Sequence, residues 1–281
     1  LKDLFEYGAR SITFIDENIG FGSGGSGSNS YNRKVMKTID GGNNWTQVLS
    51  QISFGKIQFI NHIVGYGNRI GNSNGRMYKT TDGGNTWSIS IELDDKNINS
   101  FCFTNENEGF FIGDEGIMYK TFDAGTNWQI VNHNRRYVSE LYDIVVRKNG
   151  VNYEGYLSGV AGVFDRFVDN GSTYTWTAVN LPAGVLGDVK SISFKETVTG
   201  TGYALVDNGG VSYLINCASW TGAWSNTQLN TKTRSNTLSS SYMIDANNGY
   251  LAGVDGILLK TTNGGNNWSL INTNVIFEFK D

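Results

Sequence analysis

Arginine is the side chain best suited to hold a carboxylate or phosphate, because its planar guanidinium donates in a bidentate fork. The chain has nine arginines, and six of them (Arg33, Arg69, Arg76, Arg135, Arg136 and Arg234) fall in or beside connections between strand-like stretches. Tyr31 and Tyr137 lie beside the same arginines and could anchor a partner. A second kind of chemistry would need two carboxyl groups ~5–10 Å apart, one of them with a raised pKa, to cleave a glycosidic bond. Glu140 with Asp143, or Asp188, are the candidates, although simple solvation of surface acids accounts for them as well. The two histidines, His62 and His133, are far apart and sit in no metal-ligand string, so neither a metal nor a cofactor is expected. Cys102 and Cys217 stand in strand-like stretches as ordinary buried thiols, without the spacing of a disulfide framework. No Ser-His-Asp arrangement, nucleophile elbow or phosphate-binding loop is present, and no catalytic residue is assigned.

What would position the arginines is a scaffold of many short strands. The 281 residues include 36 Gly and one Pro, with 13% aromatic and 17% charged residues, which gives enough apolar surface for a core and turn residues for many hairpins. No apolar run approaches the length of a membrane-spanning helix. A formal net charge of −4 argues against a nucleic-acid partner. A chain that starts at Leu1 without Met is expected to be a processed or partial form.

A repeat organises the chain. Lys37-Thr-Ile-Asp-Gly-Gly-Asn-Asn-Trp45 recurs as Lys79–Trp87, Lys120–Trp128 and Lys260–Trp268, with degraded copies ending at Trp176 and around Trp220 and Trp224. One Trp per unit gives steps of 42, 41, 48, 48 and 44 residues. Upstream of each Trp comes an alternating segment, then a Gly-aromatic step (Gly20-Phe21, Gly65-Tyr66, Gly109-Phe110, Gly155-Tyr156, Gly202-Tyr203, Gly249-Tyr250), then a third strand. Four strands in about 45 residues is the size of one propeller blade. The expected fold is therefore all-β, a single β-propeller domain of four-stranded antiparallel blades, with six blades at 1–50, 51–92, 93–133, 134–180, 181–231 and 232–281. Seven blades is the alternative. Strand-like ends, Leu4–Tyr7 and Val275–Phe279, could complete one blade from both termini.

The repeated string reads as a hairpin turn that serves the fold. Asp40, Asp82, Asp123 and the equivalent Asn263 would accept backbone N–H groups, and Gly42, Gly84, Gly125 and Gly265 would supply backbone conformations closed to other residues. Trp45, Trp87, Trp128 and Trp268 would leave the turn and bury their rings against the neighbouring unit, with the indole N–H reaching a carbonyl. One active site does not need four copies, so these residues are read as structural.

These strings resemble the BNR or Asp-box repeat of sialidase-type propellers. The fuller unit, Gly-Tyr-x-x-Gly followed by Lys-Thr-Thr-Asp-Gly-Gly-x-x-Trp, is similar to photosystem II stability/assembly-factor-like proteins, strongly in units 1, 2, 3 and 6 and weakly in units 4 and 5. The resemblance implies a secreted, periplasmic or cell-surface location, a basic binding patch and an assembly role; such families usually have seven blades. It also implies the rival activity, a glycoside hydrolase acting on a polysaccharide or glycan. The Arg-Ile-Pro string usual near a sialidase N-terminus is absent, because the only proline, Pro182, follows Leu181.

In such blades the second-to-third-strand loops and the blade-to-blade links share one face, opposite the Asp-bearing turns. Loop length varies most on that face, from Asp114-Glu115-Gly116 to the insertion Ser23–Asn32. The sequence thus points to a non-catalytic scaffold that presents this loop-rich face to a protein partner or complex, with a glycan the second possibility.

Overall fold

The structure, a computed structural model, describes residues 9–25, 32–69, 74–133, 139–194, 200–209, 211–227, 238–245, 247–253 and 257–271. The strand-like ends at Leu4–Tyr7 and Val275–Phe279 lie outside the described residues. The described residues form six four-stranded antiparallel sheets, so the chain is a six-blade β-propeller in which every sheet runs in simple sequence order. Contacts divide it into two compact units, Leu1–Val138 and Ser139–Asp281, with three blades each.

In the first unit, blade 1 consists of β1 (Ala9–Phe14), β2 (Gly20–Gly24), β3 (Lys34–Thr38) and β4 (Thr46–Ser50). Blade 2 consists of β5 (Phe54–Phe59), β6 (Gly65–Arg69), β7 (Arg76–Thr80) and β8 (Ser88–Glu92), and blade 3 of β9 (Ile98–Phe103), β10 (Gly109–Gly113), β11 (Met118–Thr121) and β12 (Gln129–Ile130). In the second unit, blade 4 is built from β13 (Leu141–Asn149), β14 (Asn152–Gly159), β15 (Phe164–Asp169) and β16 (Tyr174–Ala178). Blade 5 follows with β17 (Asp188–Phe194), β18 (Gly202–Asn208), β19 (Val211–Cys217) and β20 (Ser225–Thr227), and blade 6 with β21 (Leu238–Met243), β22 (Gly249–Gly253), β23 (Leu258–Thr261) and β24 (Ser269–Leu270).

The Gly-aromatic step has a packing cause. In register, Phe14 faces Gly20, Phe59 faces Gly65, Phe103 faces Gly109 and Phe194 faces Gly202. Each phenyl ring folds over its glycine: a Cβ on Gly65 would sit 2.7 Å from the Phe59 ring. The ring so placed meets the aromatic that follows the glycine of the preceding blade. Phe21 stacks on Phe59 at 4.5 Å, Tyr66 on Phe103 at 3.6 Å and Tyr156 on Phe194 at 5.2 Å. Burying such rings contributes several kcal/mol per blade junction on the ~25 cal/mol/Å² scale.

Polar stitches accompany the rings. Tyr66 Oη donates to the Ala124 carbonyl at 3.0 Å, Tyr156 Oη to the Trp220 carbonyl at 2.5 Å and Tyr203 Oη to the Gly264 carbonyl at 3.3 Å. The lysine that opens the repeated string does the same: Lys37 Nζ donates to the Gly83 carbonyl at 2.7 Å and Lys79 Nζ to the Ala124 carbonyl at 2.8 Å. In blade 4 the corresponding position, opposite Tyr156, is Arg166, and blade 5 lacks the regular turn that would receive it. Arg166 pairs instead with buried Glu154 of its own blade at 2.9 Å; Arg147 approaches the same carboxylate at 3.4 Å and lies over the Trp220 ring. Burial alone would raise Glu154, but Asn149, Arg166 and Arg147 together bring its pKa below the usual value.

Candidate functional site

The repeated turns account for their own residues. Thr80 Oγ1 donates to Asp82 Oδ1 at 2.8 Å and accepts the Gly84 N–H at 2.9 Å, while Asp82 Oδ1 accepts the N–H groups of Asn85 and Thr86 at 3.0 and 2.9 Å. Thr38 with Asp40 and Thr121 with Asp123 repeat this arrangement. In blade 6 Asn263 takes the aspartate's place, because the Thr261 hydroxyl and the Asn267 N–H need only an oxygen acceptor, which Asn263 Oδ1 supplies. Gly42, Gly84, Gly125 and Gly265 all have positive φ, between 76° and 90°. Trp45, Trp87 and Trp268 donate their indole N–H to the carbonyl of their own turn's glycine; Trp128 instead bonds Ser90 of the preceding blade at 3.3 Å. Side-chain and backbone donors from Thr86 pull the Asp82 carboxyl down to about 2, and Asp40 and Asp123 are lowered by their Asn partners in the same way. These carboxylates are spoken for as turn acceptors.

At the opposite end of the first unit's blades the arginines gather. Arg33 immediately precedes β3 and Arg10 is the second residue of β1, so both stand at the loop-rich end of blade 1. Arg10 is exposed as a residue, yet its guanidinium is held below its ordinary pKa, by burial first and then by the like charge of Arg33. In blade 2 the last residue of β6, Arg69, lies opposite the first of β7, Arg76, and Arg76 lies opposite Glu92. Like charges directly opposite one another are unfavourable, and Glu92 relieves them. It forms an ion pair with Arg76 that lowers the Glu92 pKa and raises that of Arg76. In blade 3, at this end, Lys96 pairs with Glu115 at 2.6 Å, and His133 Nε2 meets the Gly116 carbonyl. Among the described residues of the first unit, the arginines at this end thus stand on blades 1 and 2.

Arg33, Arg69 and Arg76 thus share one end of neighbouring blades. Tyr31, Arg135, Arg136 and Arg234, and also Tyr137, lie outside the described residues. Arg10 was not among the sequence candidates, since only loop arginines were considered. Its signal is visible in hindsight: it stands two residues before the alternating Ile12-Thr13-Phe14, at the mouth of the strand rather than in a loop.

In the second unit two of the three candidate acids, Asp143 and Asp188, hold structure, while the third, Glu140, is exposed. Asp143 accepts the N–H of Ile144 and, from blade 5, that of Ile192, both at 2.9 Å. Asp188 accepts Lys190 Nζ at 2.8 Å, the Ala161 N–H at 2.9 Å and the Tyr142 hydroxyl at 3.4 Å. Burial would raise Asp188, but Lys190 and the Ala161 N–H outweigh it, leaving the carboxyl lowered. The carboxyls of Asp16, Asp40, Asp82, Glu92, Asp123, Glu154 and Asp188 are all displaced downward. Such groups are ionised acceptors at neutral pH, the opposite of a general acid. No group of three or more metal-ligating side chains occurs among the described residues, and no described helix is long and apolar enough to cross a membrane.

No protein-family profile and no curated protein sequence matches the chain. Solved structures do. YCF48 bound to D1 peptide is similar over 95% of this chain and 82% of its own, at 23% identity and a TM-score of 0.65. YCF48 from Cyanidioschyzon merolae is similar over 94% and 84%, at 17% identity and a TM-score of 0.63. A GH74 xyloglucanase from Xanthomonas campestris superposes with a TM-score of 0.68 over 95% of this chain but 45% of its own, at 11% identity. At these identities the likeness is one of fold, and propellers of this fold include both a peptide-binding protein and glycoside hydrolases.

Proposed function

We propose that the chain is a non-catalytic, extracytoplasmic interaction scaffold that binds a protein partner through the loop-rich, arginine-bearing end of blades 1 and 2. The observation that carries this reading is the convergence of Arg10, Arg33, Arg69 and Arg76 on one end of two adjacent blades, where burial first and then the like charge of Arg33 disfavour the charged form of Arg10. A partner carboxylate placed there would relieve that repulsion and accept bidentate hydrogen bonds. Rigid blades fix the positions of these groups, so little ordering entropy is lost on binding. YCF48, similar in fold, is bound to a D1 peptide, which agrees with an assembly-factor-like role for this chain.

The hydrolase alternative draws support from the xyloglucanase likeness but finds its acids, Asp143 and Asp188, already engaged by backbone and lysine donors. The deciding experiment pairs capture from an extract of the native source with a glycan array and an assay for release of reducing sugar from polysaccharides. Specific capture of a protein, lost when Arg33→Glu and Arg69→Glu are combined in a variant that melts like the wild type, is the expected result. Release of reducing sugar, or capture that survives both charge reversals, would sink the reading.

A further inference from the structure

Six asparagines of this chain precede a glycine: Asn74, Asn149, Asn170, Asn208, Asn248 and Asn263. Such a step carries a reaction of its own. The backbone nitrogen after the asparagine can attack the side-chain carbonyl carbon, and a glycine there has no Cβ to block the approach. The attack needs a side-chain amide free to turn and a backbone N–H that is not already donating. The hydrogen bonds at each step therefore decide whether it reacts.

Five of the six steps are tied. The Gly75 N–H donates to the Lys96 carbonyl at 2.7 Å, and Asn74 bonds Glu92. The Gly171 N–H donates to Asp169 Oδ1 at 2.8 Å, while Asn170 Oδ1 accepts the N–H groups of Ser172 and Thr173. Asn248 Nδ2 donates to Asp245 Oδ2 at 2.7 Å, and Gly249 is buried in the ladder between Met243 and Thr261. The Gly264 N–H donates to the Asn247 carbonyl at 2.9 Å, and Asn263 Oδ1 accepts the Thr261 hydroxyl and the Asn267 N–H. Asn149 Nδ2 donates to the buried carboxylate of Glu154.

Asn208 is the exception. It ends β18, is exposed, and lies opposite Val211 across the turn to β19. Among the described residues neither its side chain nor the Gly209 N–H makes a hydrogen bond. Gly209 has a φ of +58°, and a Cβ there would meet nothing within 4 Å, so the turn has room to rearrange. Asn149 and Gly150 form the matched control. Gly150 has a φ of +63° and the same open space, and Asn149 faces Asn152 across a turn of equal length. What differs is the Glu154 carboxylate that holds Asn149.

We propose that Asn208 is a site of spontaneous deamidation in the folded protein, by way of a cyclic imide formed with Gly209. The Gly209 nitrogen loses its proton to solvent base and bonds to Asn208 Cγ; the Cγ–Nδ2 bond breaks, and the amide leaves as ammonia. Water then opens either carbonyl bond of the imide, leaving aspartate or its β-linked isomer at position 208. The sum is asparagine plus water giving a carboxyl group plus ammonia, with no change of oxidation state. The new negative charge stands beside Asp207, which lies opposite Asp188 in the register of β17 and β18. The β18–β19 turn, at the loop-rich end of blade 5, thus changes charge as the protein ages.

The test is peptide mapping by mass spectrometry of the full chain held folded at pH 8 for several weeks, beside the same chain held in urea. In urea all six asparagines should react, since nothing then ties them. In the folded chain Asn208 should react within a factor of about three of its rate in urea, whereas the five tied asparagines should be slowed about tenfold or more. The peptide that carries position 208 should separate into two isomers of equal mass. Asn208→Gln, whose longer side chain would have to close a larger ring, should stop the change in that peptide and leave the melting temperature as it was. An Asn208 that stays intact in the folded chain while the urea sample reacts overturns the proposal. So does equal ageing of Asn149 and Asn208, because the Glu154 bond would then select nothing.

Discussion

Ala124 holds the position that glycine holds in the three other regular turns. Its φ is +59°, against +70°, +68° and +70° for Gly41, Gly83 and Gly264. A residue with a Cβ pays about 1–2 kcal/mol in this left-handed region. Replacing it with glycine removes that strain but frees the unfolded chain, at a cost of about 0.4–1 kcal/mol. The net expectation for Ala124→Gly is a gain of about 0.5–1 kcal/mol, or roughly 1–3 °C in melting temperature for a domain of this size. The turn itself should not move, because the Ala124 carbonyl stays held by Tyr66 and Lys79 from blade 2. The mirror substitution, Gly83→Ala, adds the same backbone strain and brings the new Cβ to 2.9 Å from the His62 carbonyl, so it should cost more than ~1 kcal/mol. Thermal and urea unfolding of the two variants beside the wild type measure both. A destabilised Ala124→Gly, or a neutral Gly83→Ala, would refute the claim that left-handed backbone governs these turns.

Other substitutions probe the stitches. Thr80→Val keeps the shape of a buried side chain but strands the Gly84 N–H, and should lower stability by about 1–3 kcal/mol in urea unfolding. Tyr66→Phe removes only the bond to Ala124 and should cost about 1 kcal/mol. The Asp82 pKa is lowered in the folded state, so its stabilisation is complete above the unfolded value near 4 and is lost as pH falls towards about 2. Asp82→Asn, which copies Asn263, should fold and show a shallower fall in melting temperature across that window. Burial pushes the Cys217 thiol up to about 11, so it should resist thiol reagents at pH 8 until the chain unfolds, as a labelling time course would show.

Most of the fold was legible because four hairpins spell out their chemistry. Thr, Asp or Asn, Gly and Trp each satisfy a backbone need of one turn, so they recur in the sequence at the spacing of that turn. Blades 4 and 5 were fainter because other means fill the same roles. Asn170 Oδ1 accepts the Ser172 and Thr173 N–H groups in the β15–β16 turn, and Trp220 and Trp224 pack around Tyr156 and Phe194 in place of a single turn tryptophan. The pairing of strand-1 phenylalanines with strand-2 glycines was written in the sequence too, but only the register reveals that one makes room for the other. The site was harder to read. Arginine has no turn to serve, so nothing in its spacing distinguishes a partner-binding group from a solvated one, and Arg10 gained its meaning only when Arg33 was placed beside it.

Binding through the loop-rich end is tested most directly by reversing charge on each end separately. Arg33→Glu with Arg69→Glu alters the arginine-bearing end, and Glu17→Arg alters an exposed residue in the β1–β2 turn at the other end. With melting temperatures matched to the wild type, capture of the native partner should be lost in the first variant and unchanged in the second. Loss in the second with retention in the first would contradict the account.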